Sequence, residues 1–303
     1  MNDAPDNNTI TTCANCGKGE ETNGDLKACT ACKLVKYCNR ECQIAHRPLH
    51  KKACKKRAAE LHDEALFKEP PPPEDCPICL LPMERGNQTT AFHSCCGKVI
   101  CIGCIHAMVE EACGGGGDNN CTVLLCPFCR KPAPSSEEAV KQIKKLMEAD
   151  NAYAFFVLGV YHEIGDMGVP QDMTKANELW LRAGELGCAD AYFNLGVAYD
   201  NGSGVAVDKK KAKHLYELAA MKGSVLARHN LGCVEVDFQR AMKHFVLAAR
   251  AGDKNSLDIV QFGFRVKYVT KDEYANTLRA YQKIRDEMKS DMRDKARASR
   301  NGR

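Results

Sequence analysis

The sequence predicts a mainly α protein: two small metal-built modules followed by an α-solenoid of helix pairs. Two observations lead there. Most of the nineteen cysteines fall into closely spaced pairs between Cys13 and Cys129. Behind them the cysteines almost stop, and a leucine–glycine step recurs at Leu158-Gly159, Leu195-Gly196 and Leu231-Gly232, at intervals of 37 and 36 residues. Two sulfurs three positions apart can face one tetrahedral ion across a tight turn. A period of about 36 residues with helical spacing inside each half marks stacked helix pairs, because each pair buries a face that only its neighbour can cover.

The 303 residues allow two or more domains, and 44% hydrophobic content is ordinary for a globular chain. A formal net charge of +4 argues neither for nor against nucleic acid. No apolar run approaches the roughly 20 residues that span a bilayer, so no membrane association is expected. The start, Met1 to Asn8, is acidic and polar and lacks the apolar centre of a secretory signal. An intracellular site, cytoplasm or nucleus, is therefore expected. In a reducing compartment clustered cysteines serve as metal thiolates rather than disulfides.

After a disordered start over residues 1–12, the first module spans 13–54. Its order is Cys13-x2-Cys16, Cys29-x2-Cys32, Cys38-x3-Cys42 and His50-x3-Cys54, enough for two tetrahedral zincs. About 40 residues with few large apolar side chains cannot fold on their core alone, so metal binding becomes folding energy. The pairs four apart share one helical face, which places about Arg40 to Leu61 on helices. His50 is taken as the eighth ligand, with His46 as its substitute. The basic run Lys51 to Arg57 reads as the solvated face of a helix.

These residues resemble the MYND zinc finger, through Cys29-Thr30-Ala31-Cys32, Tyr37-Cys38-Asn39-Arg40-Glu41-Cys42-Gln43 and His50-Lys51-Lys52-Ala53-Cys54. The resemblance implies interleaved ligands: Cys13, Cys16, Cys38 and Cys42 for one zinc, Cys29, Cys32, His50 and Cys54 for the other. It also implies a protein-binding module that takes a proline-containing peptide. Arg47 departs from the family here, standing where a groove-lining Trp is usual.

Residues 55–75 read as a helix and a linker. Glu69-Pro70-Pro71-Pro72-Pro73-Glu74-Asp75 cannot be helix interior and is expected as a stiff polyproline II spacer. Folding back onto its own finger is the alternative.

The second module spans 76–130 and holds ten cysteines. Cys76, Cys79, Cys101, Cys104, Cys126 and Cys129 are six ligands by spacing. Two more are needed. Cys95 and Cys96 are the first choice, and His93 with Cys96 the second. Cys113 and Cys121 flank Gly114 to Gly117 and read as bystander thiols.

This segment resembles a RING finger of the all-cysteine type. The resemblance implies Cys76, Cys79, Cys101 and Cys104 for one zinc and Cys95, Cys96, Cys126 and Cys129 for the other, four zinc ions in all. RING fingers recruit a ubiquitin-conjugating enzyme, and the residues matching its contacts here are Ile78, Ile105 and Pro127. Arg130 matches the arginine that holds ubiquitin, a task suited to a planar fork that can grip two carbonyls. No catalytic residue is implied, because closed four-ligand zincs are structural and rate comes from geometry imposed on the partner.

The repeats run from 137 to 253. Lys175-Ala176, Lys211-Ala212 and Arg240-Ala241 recur in step with the leucine–glycine pairs, and Gly187, Gly223 and Gly252 suit helix ends that need a left-handed turn. The shorter third interval reads as a loop deletion after Val234-Glu235. The phrases Ala191 to Tyr199 and Gly202 to Ala212 resemble Sel-one-like repeats, relatives of the tetratricopeptide class, which implies a scaffold for protein partners. Trp180 is assigned to packing between helices. Residues 254–290 are expected to cap the array, with Thr270-Lys271-Asp272-Glu273 as a capping box. Residues 291–303 are expected to form a disordered basic tail.

The module order resembles that of protist chains of ubiquitin-ligase-like design. The leading expectation is a ubiquitin ligase that holds its protein substrate on the repeats and MYND finger. The alternative is a non-catalytic zinc-finger adaptor. Nucleic-acid binding is disfavoured, because no recognition helix is evident and the charge is nearly balanced.

Overall fold

The structure is a computed structural model that describes residues 10–19, 25–83, 89–113 and 123–301. The chain divides into two units, Met1–Lys68 and Glu69–Arg303. Among the described residues there are twelve α-helices and four short strands, and no helix is long and apolar enough to cross a membrane.

The first unit pairs β1 (Lys27–Ala28) antiparallel with β2 (Lys36–Tyr37), Lys27 opposite Tyr37. Helix α1 (Arg40–Leu66) follows. Asn39 starts it by accepting from the Cys42 N–H at 2.8 Å, which satisfies one of the free donors of the first turn. The helix continues five residues past Leu61, helped by Arg57 bonding to Glu60 and Glu64. It tolerates Pro48 in its interior. Its buried centre is mostly sulfur: Cys13, Cys29 and Cys32 with Leu26 and Tyr37.

The second unit opens with a hairpin of β3 (Thr90–His93) and β4 (Lys98–Cys101), His93 opposite Lys98, followed by α2 (Ile102–Cys113). Its small core is Cys76, Met83, Ile100 and Cys101. Helix α3 (Ser136–Glu148) is capped by Ser135 and buries Val140 and Ile143 against Ala154, Leu158 and Leu179. The array then stacks as pairs: α4 (Ala152–Ile164) with α5 (Met173–Glu185), α6 (Ala189–Asn201) with α7 (Lys209–Met221), and α8 (Val225–Val234) with α9 (Phe238–Arg250). Asp172, Asp208 and Asp237 cap the second helix of each pair.

The recurring leucine–glycine step now has a cause. A Cβ on Gly159 would stand 2.6 Å from the Trp180 indole, on Gly196 2.7 Å from the Tyr216 ring, and on Gly232 2.6 Å from the Phe245 ring. Each first helix leaves a hole, and each second helix fills it with an aromatic ring. The shortened third repeat closes through Glu235, which binds Lys213 at 3.0 Å and Arg240 at 3.3 Å.

Helices α10 (Lys254–Arg265) and α11 (Lys271–Met288) follow, with α10 packed on α9 and α11 on both. Thr270 caps α11 by accepting from the Glu273 N–H at 3.2 Å. The tail differs from expectation. Asp291–Asn301, assigned from sequence to a disordered basic tail, forms helix α12 and packs on α2. Arg293 is buried there, 2% exposed. Residues 1–9 and Cys121 lie outside the described residues.

Candidate metal centres

Four knuckles of one design carry eight of the donor residues. After Cys13, Cys29, Cys76 and Cys126 the chain turns so that the N–H four residues on bonds back to that cysteine's carbonyl. The donors are Gly17 (2.9 Å), Lys33 (3.0 Å), Leu80 (2.8 Å) and Arg130 (2.9 Å). Each donor is left-handed, with φ of 70° at Gly17, 58° at Lys33, 56° at Leu80 and 58° at Arg130. For the three non-glycine residues this costs about 1–3 kcal/mol each, held by the surroundings. Isolated bridges close three of the knuckles, Thr12 with Gly19, Asp75 with Pro82 and Leu125 with Pro132.

The structure brings sixteen donor residues together in four groups: Cys13, Cys16, Cys38 and Cys42; Cys29, Cys32, His50 and Cys54; Cys76, Cys79, Cys101 and Cys104; Cys95, Cys96, Cys126 and Cys129. Within each group the donor atoms lie within 4.8 Å of one another. Sulfurs about 2.3 Å from a tetrahedral zinc stand about 3.8 Å apart. The Sγ separations include 3.7 Å for Cys16–Cys38, 3.8 Å for Cys29–Cys54, 3.7 Å for Cys76–Cys104, 3.8 Å for Cys79–Cys101 and 3.7 Å for Cys96–Cys126. The His50 Nε2 is 3.2 Å from the Cys32 Sγ. In chain order the groups interleave within each module, so each pair of ions staples two loops.

The charge balance asks for a cation. Burial opposes ionisation of Cys13, yet backbone N–H groups from Cys16, Cys38 and Asn15 outweigh it and bring the thiol down to about 6. Burial and then the thiols of Cys42 and Cys13 push Cys38 up to about 12. Cys29 and Cys54 repeat the contrast. Burial opposes Cys29, but the Cys32 N–H and His50 bring it down to about 6, while burial and the thiols of Cys32 and Cys29 push Cys54 up to about 12. One thiolate therefore forms readily and its neighbours resist, until a dication supplies the opposing charge. Four sulfur or sulfur-plus-imidazole donors with no further position are a structural zinc set. All four groups are compatible with bound zinc.

Neighbouring groups set the ligands. Tyr37 is buried, and its hydroxyl lies 3.0 Å from the Nδ1 of His46. The His46 ring stacks on His50 with centroids 5.7 Å apart. His46 thus orients His50 and stands outside the group. Cys95 lies 3.4 Å from Cys129, within the fourth group. His93, the alternative ligand, stands edge-on to Phe128 with its Nε2 buried and without a hydrogen-bond partner among the described residues. Burial pushes its pKa down.

Sequence reasoning missed Arg293. Its guanidinium donates to the carbonyls of Pro82 (2.7 Å), Met288 (2.9 Å) and Leu81 (3.2 Å) and to the Cys79 Sγ (3.6 Å). Burial works against its charge, but the thiols of Cys101 and Cys79 outweigh that and raise its pKa. A fixed cation beside four thiolates offsets the net negative charge they keep when zinc is bound. Gly103 makes the approach possible, since a Cβ there would lie 2.7 Å from the Arg293 Cγ. Of the residues matching a RING finger's contacts, Ile78, Pro127 and Arg130 are exposed. Ile105 is half-buried and packs against the module's own core.

Comparison with known proteins places names on two of these regions. The model of the MYND finger matches residues 13–54. The model of the Sel1 repeat matches residues 152–188, 189–224 and 227–253. The chain carries a MYND finger and Sel1 repeats. Among solved structures it is similar to a Sel1 repeat protein from Oxalobacter formigenes, with 21% identity, 60% of this chain and 71% of that one covered, and a TM-score of 0.45. It is also similar to c5321, a protective antigen present in uropathogenic Escherichia coli strains and displaying an SLR fold. There identity is 24%, coverage 58% of this chain and 38% of that one, and the TM-score 0.44. A search of curated proteins found no match.

Proposed function

We propose that the chain is a non-catalytic, zinc-built adaptor that binds proteins, working inside the cell where thiolates stay reduced. The supporting observation is the pairing of a MYND finger with three Sel1 repeats in one chain. All four donor groups are closed, so their zincs brace the fold and leave no position for a substrate. The array supplies the larger surface, and the MYND finger is read as the seat of a proline-containing peptide. Arg47 is exposed there.

A second reading has its own support. The module over 76–130 combines two interleaved cysteine groups with a hairpin and a helix, and leaves Ile78, Pro127 and Arg130 exposed. That arrangement suits a RING-type ubiquitin ligase recruiting a conjugating enzyme. Autoubiquitination against a panel of conjugating enzymes separates the readings. An adaptor makes no chains while zinc-loaded and folded. Chains formed by wild type and lost in both Ile78→Ala and Arg130→Ala would establish the ligase instead.

A further inference from the structure

We propose that the turns closing the helix pairs form a groove for proline-rich peptides with acidic flanks, and that the chain's own run Glu69 to Glu74 is its displaceable resident. This rests on the protein-binding reading of the array and names the ligand class. The run is not a free spacer. Glu69 pairs with the Arg250 guanidinium at 3.0 Å. Pro70 to Pro73 share a cleft of about 150 Å³ with Ala251, Ile284 and Met288. Pro71, Pro72 and Glu74 then line a cavity of about 510 Å³ with Gly187 to Asp190 and Lys222 to Ser224.

Those array residues flank corresponding turns. Gly187, Gly223 and Gly252 each follow the second helix of a pair, with φ of 111°, 99° and 98°. Cys188 and Ser224 sit one residue beyond the first two glycines, and Ala251 one before the third. The proline run therefore meets the array at the same turn of successive repeats. The dimensions agree. A polyproline II strand repeats every three residues and rises about 3.1 Å per residue, or about 9 Å per turn. Packed helices stand about 8–10 Å apart, a spacing close to one turn of the strand. A strand already extended loses little entropy on binding.

The seat is held by contacts suited to exchange. The ion pair that anchors the run is solvent-accessible, with the Glu69 side chain 64% exposed, and such pairs hold weakly. The larger cavity leaves space beside Pro71 and Pro72 for bulkier side chains than proline, with Lys222 and Asp190 both on its wall. Tethering keeps the resident in place by effective concentration rather than by strong contacts.

The test uses the full zinc-loaded chain and a fluorescein-labelled peptide copying Lys68 to Asp75, read by fluorescence anisotropy. Replacing Pro70, Pro71, Pro72 and Pro73 by serine keeps the linker length and empties the groove. That variant should bind the peptide about tenfold or more tightly than wild type. Adding Arg250→Glu should weaken binding again. Glu69→Arg, a single exposed change, should raise affinity over wild type by several-fold. A peptide with serines for its prolines should not bind. Peptide bound by neither variant while circular dichroism shows the helices intact would overturn the groove, as would equal binding by wild type and the serine variant. Either result could coincide with partners captured through other faces of the array, so the adaptor reading would stand or fall separately.

Discussion

The two metal modules and the repeat array reach order by opposite means. In the modules the buried side chains are largely cysteines, among them Cys13, Cys29, Cys32, Cys76, Cys101 and Cys126. In the array they are Trp180, Tyr216, Leu231 and Phe245, with alanines between the helices. The modules have donor atoms where a core would be, so their folding energy arrives with the ion. The array carries its own apolar core, repeated and additive. Loss of one ligand should therefore act as a switch in the modules, while loss of one contact in the array should act as a small decrement.

The largest effect expected is from metal removal. Structural zinc contributes on the order of 10 kcal/mol per site, so a strong chelator should unfold both modules. Trp180 is the chain's only tryptophan and lies in the array, so its emission should stay native while proteolysis opens the region before residue 135. A simultaneous change in Trp180 emission would break the distinction.

Acid should act on the array in its own way. His244 is fully buried in α9, and burial, aided by Arg228, lowers its pKa to about 3, with Arg240 and Lys213 also lowering it and Glu235 opposing. Below its ordinary value near 6.5 the unfolded chain takes up a proton that the folded chain refuses. Stability present above that pH is lost as pH falls toward 3, by on the order of 5 kcal/mol at most. The thermal midpoint followed by Trp180 emission should drop between pH 7 and pH 5, and drop less in His244→Gln.

Arg293→Met should weaken zinc retention by the Cys76 group about tenfold, the usual scale for removing an outer partner of a metal ligand. Competition with a chromogenic chelator reads this, and release from the MYND finger should not change. Smallest is Gly196→Ala. Its methyl would meet the Tyr216 ring, and overpacking of this kind costs about 1–3 kcal/mol. The array midpoint should fall by a few degrees while zinc release stays constant.

How legible these features were in the sequence follows from how local their causes are. Paired cysteines lie within one turn, so spacing alone exposes them. The leucine–glycine step shows as a period because each repeat solves the same packing problem. Its aromatic partners were less visible, since Trp180, Tyr216 and Phe245 differ in type and the last interval is shortened. Contacts across long stretches left no local mark. Arg293 reaches Cys79 over more than two hundred residues, and a basic polar tail reads as solvated until Gly103 is seen to receive it. The proline run reads as a spacer for the same reason, because its partners Arg250 and Met288 are far along the chain. Ile105 reads as a contact residue by motif position, and in the structure it is half-buried and packs against the core of its module.

Native mass spectrometry of the freshly purified, reduced protein tests the zinc-built frame most directly. Four zinc ions per chain are expected, and their loss on chelation should shift the whole chain toward higher charge states as the modules unfold. A chain that holds only the two ions of its MYND finger, with residues 76–130 folded and metal-free, would contradict it.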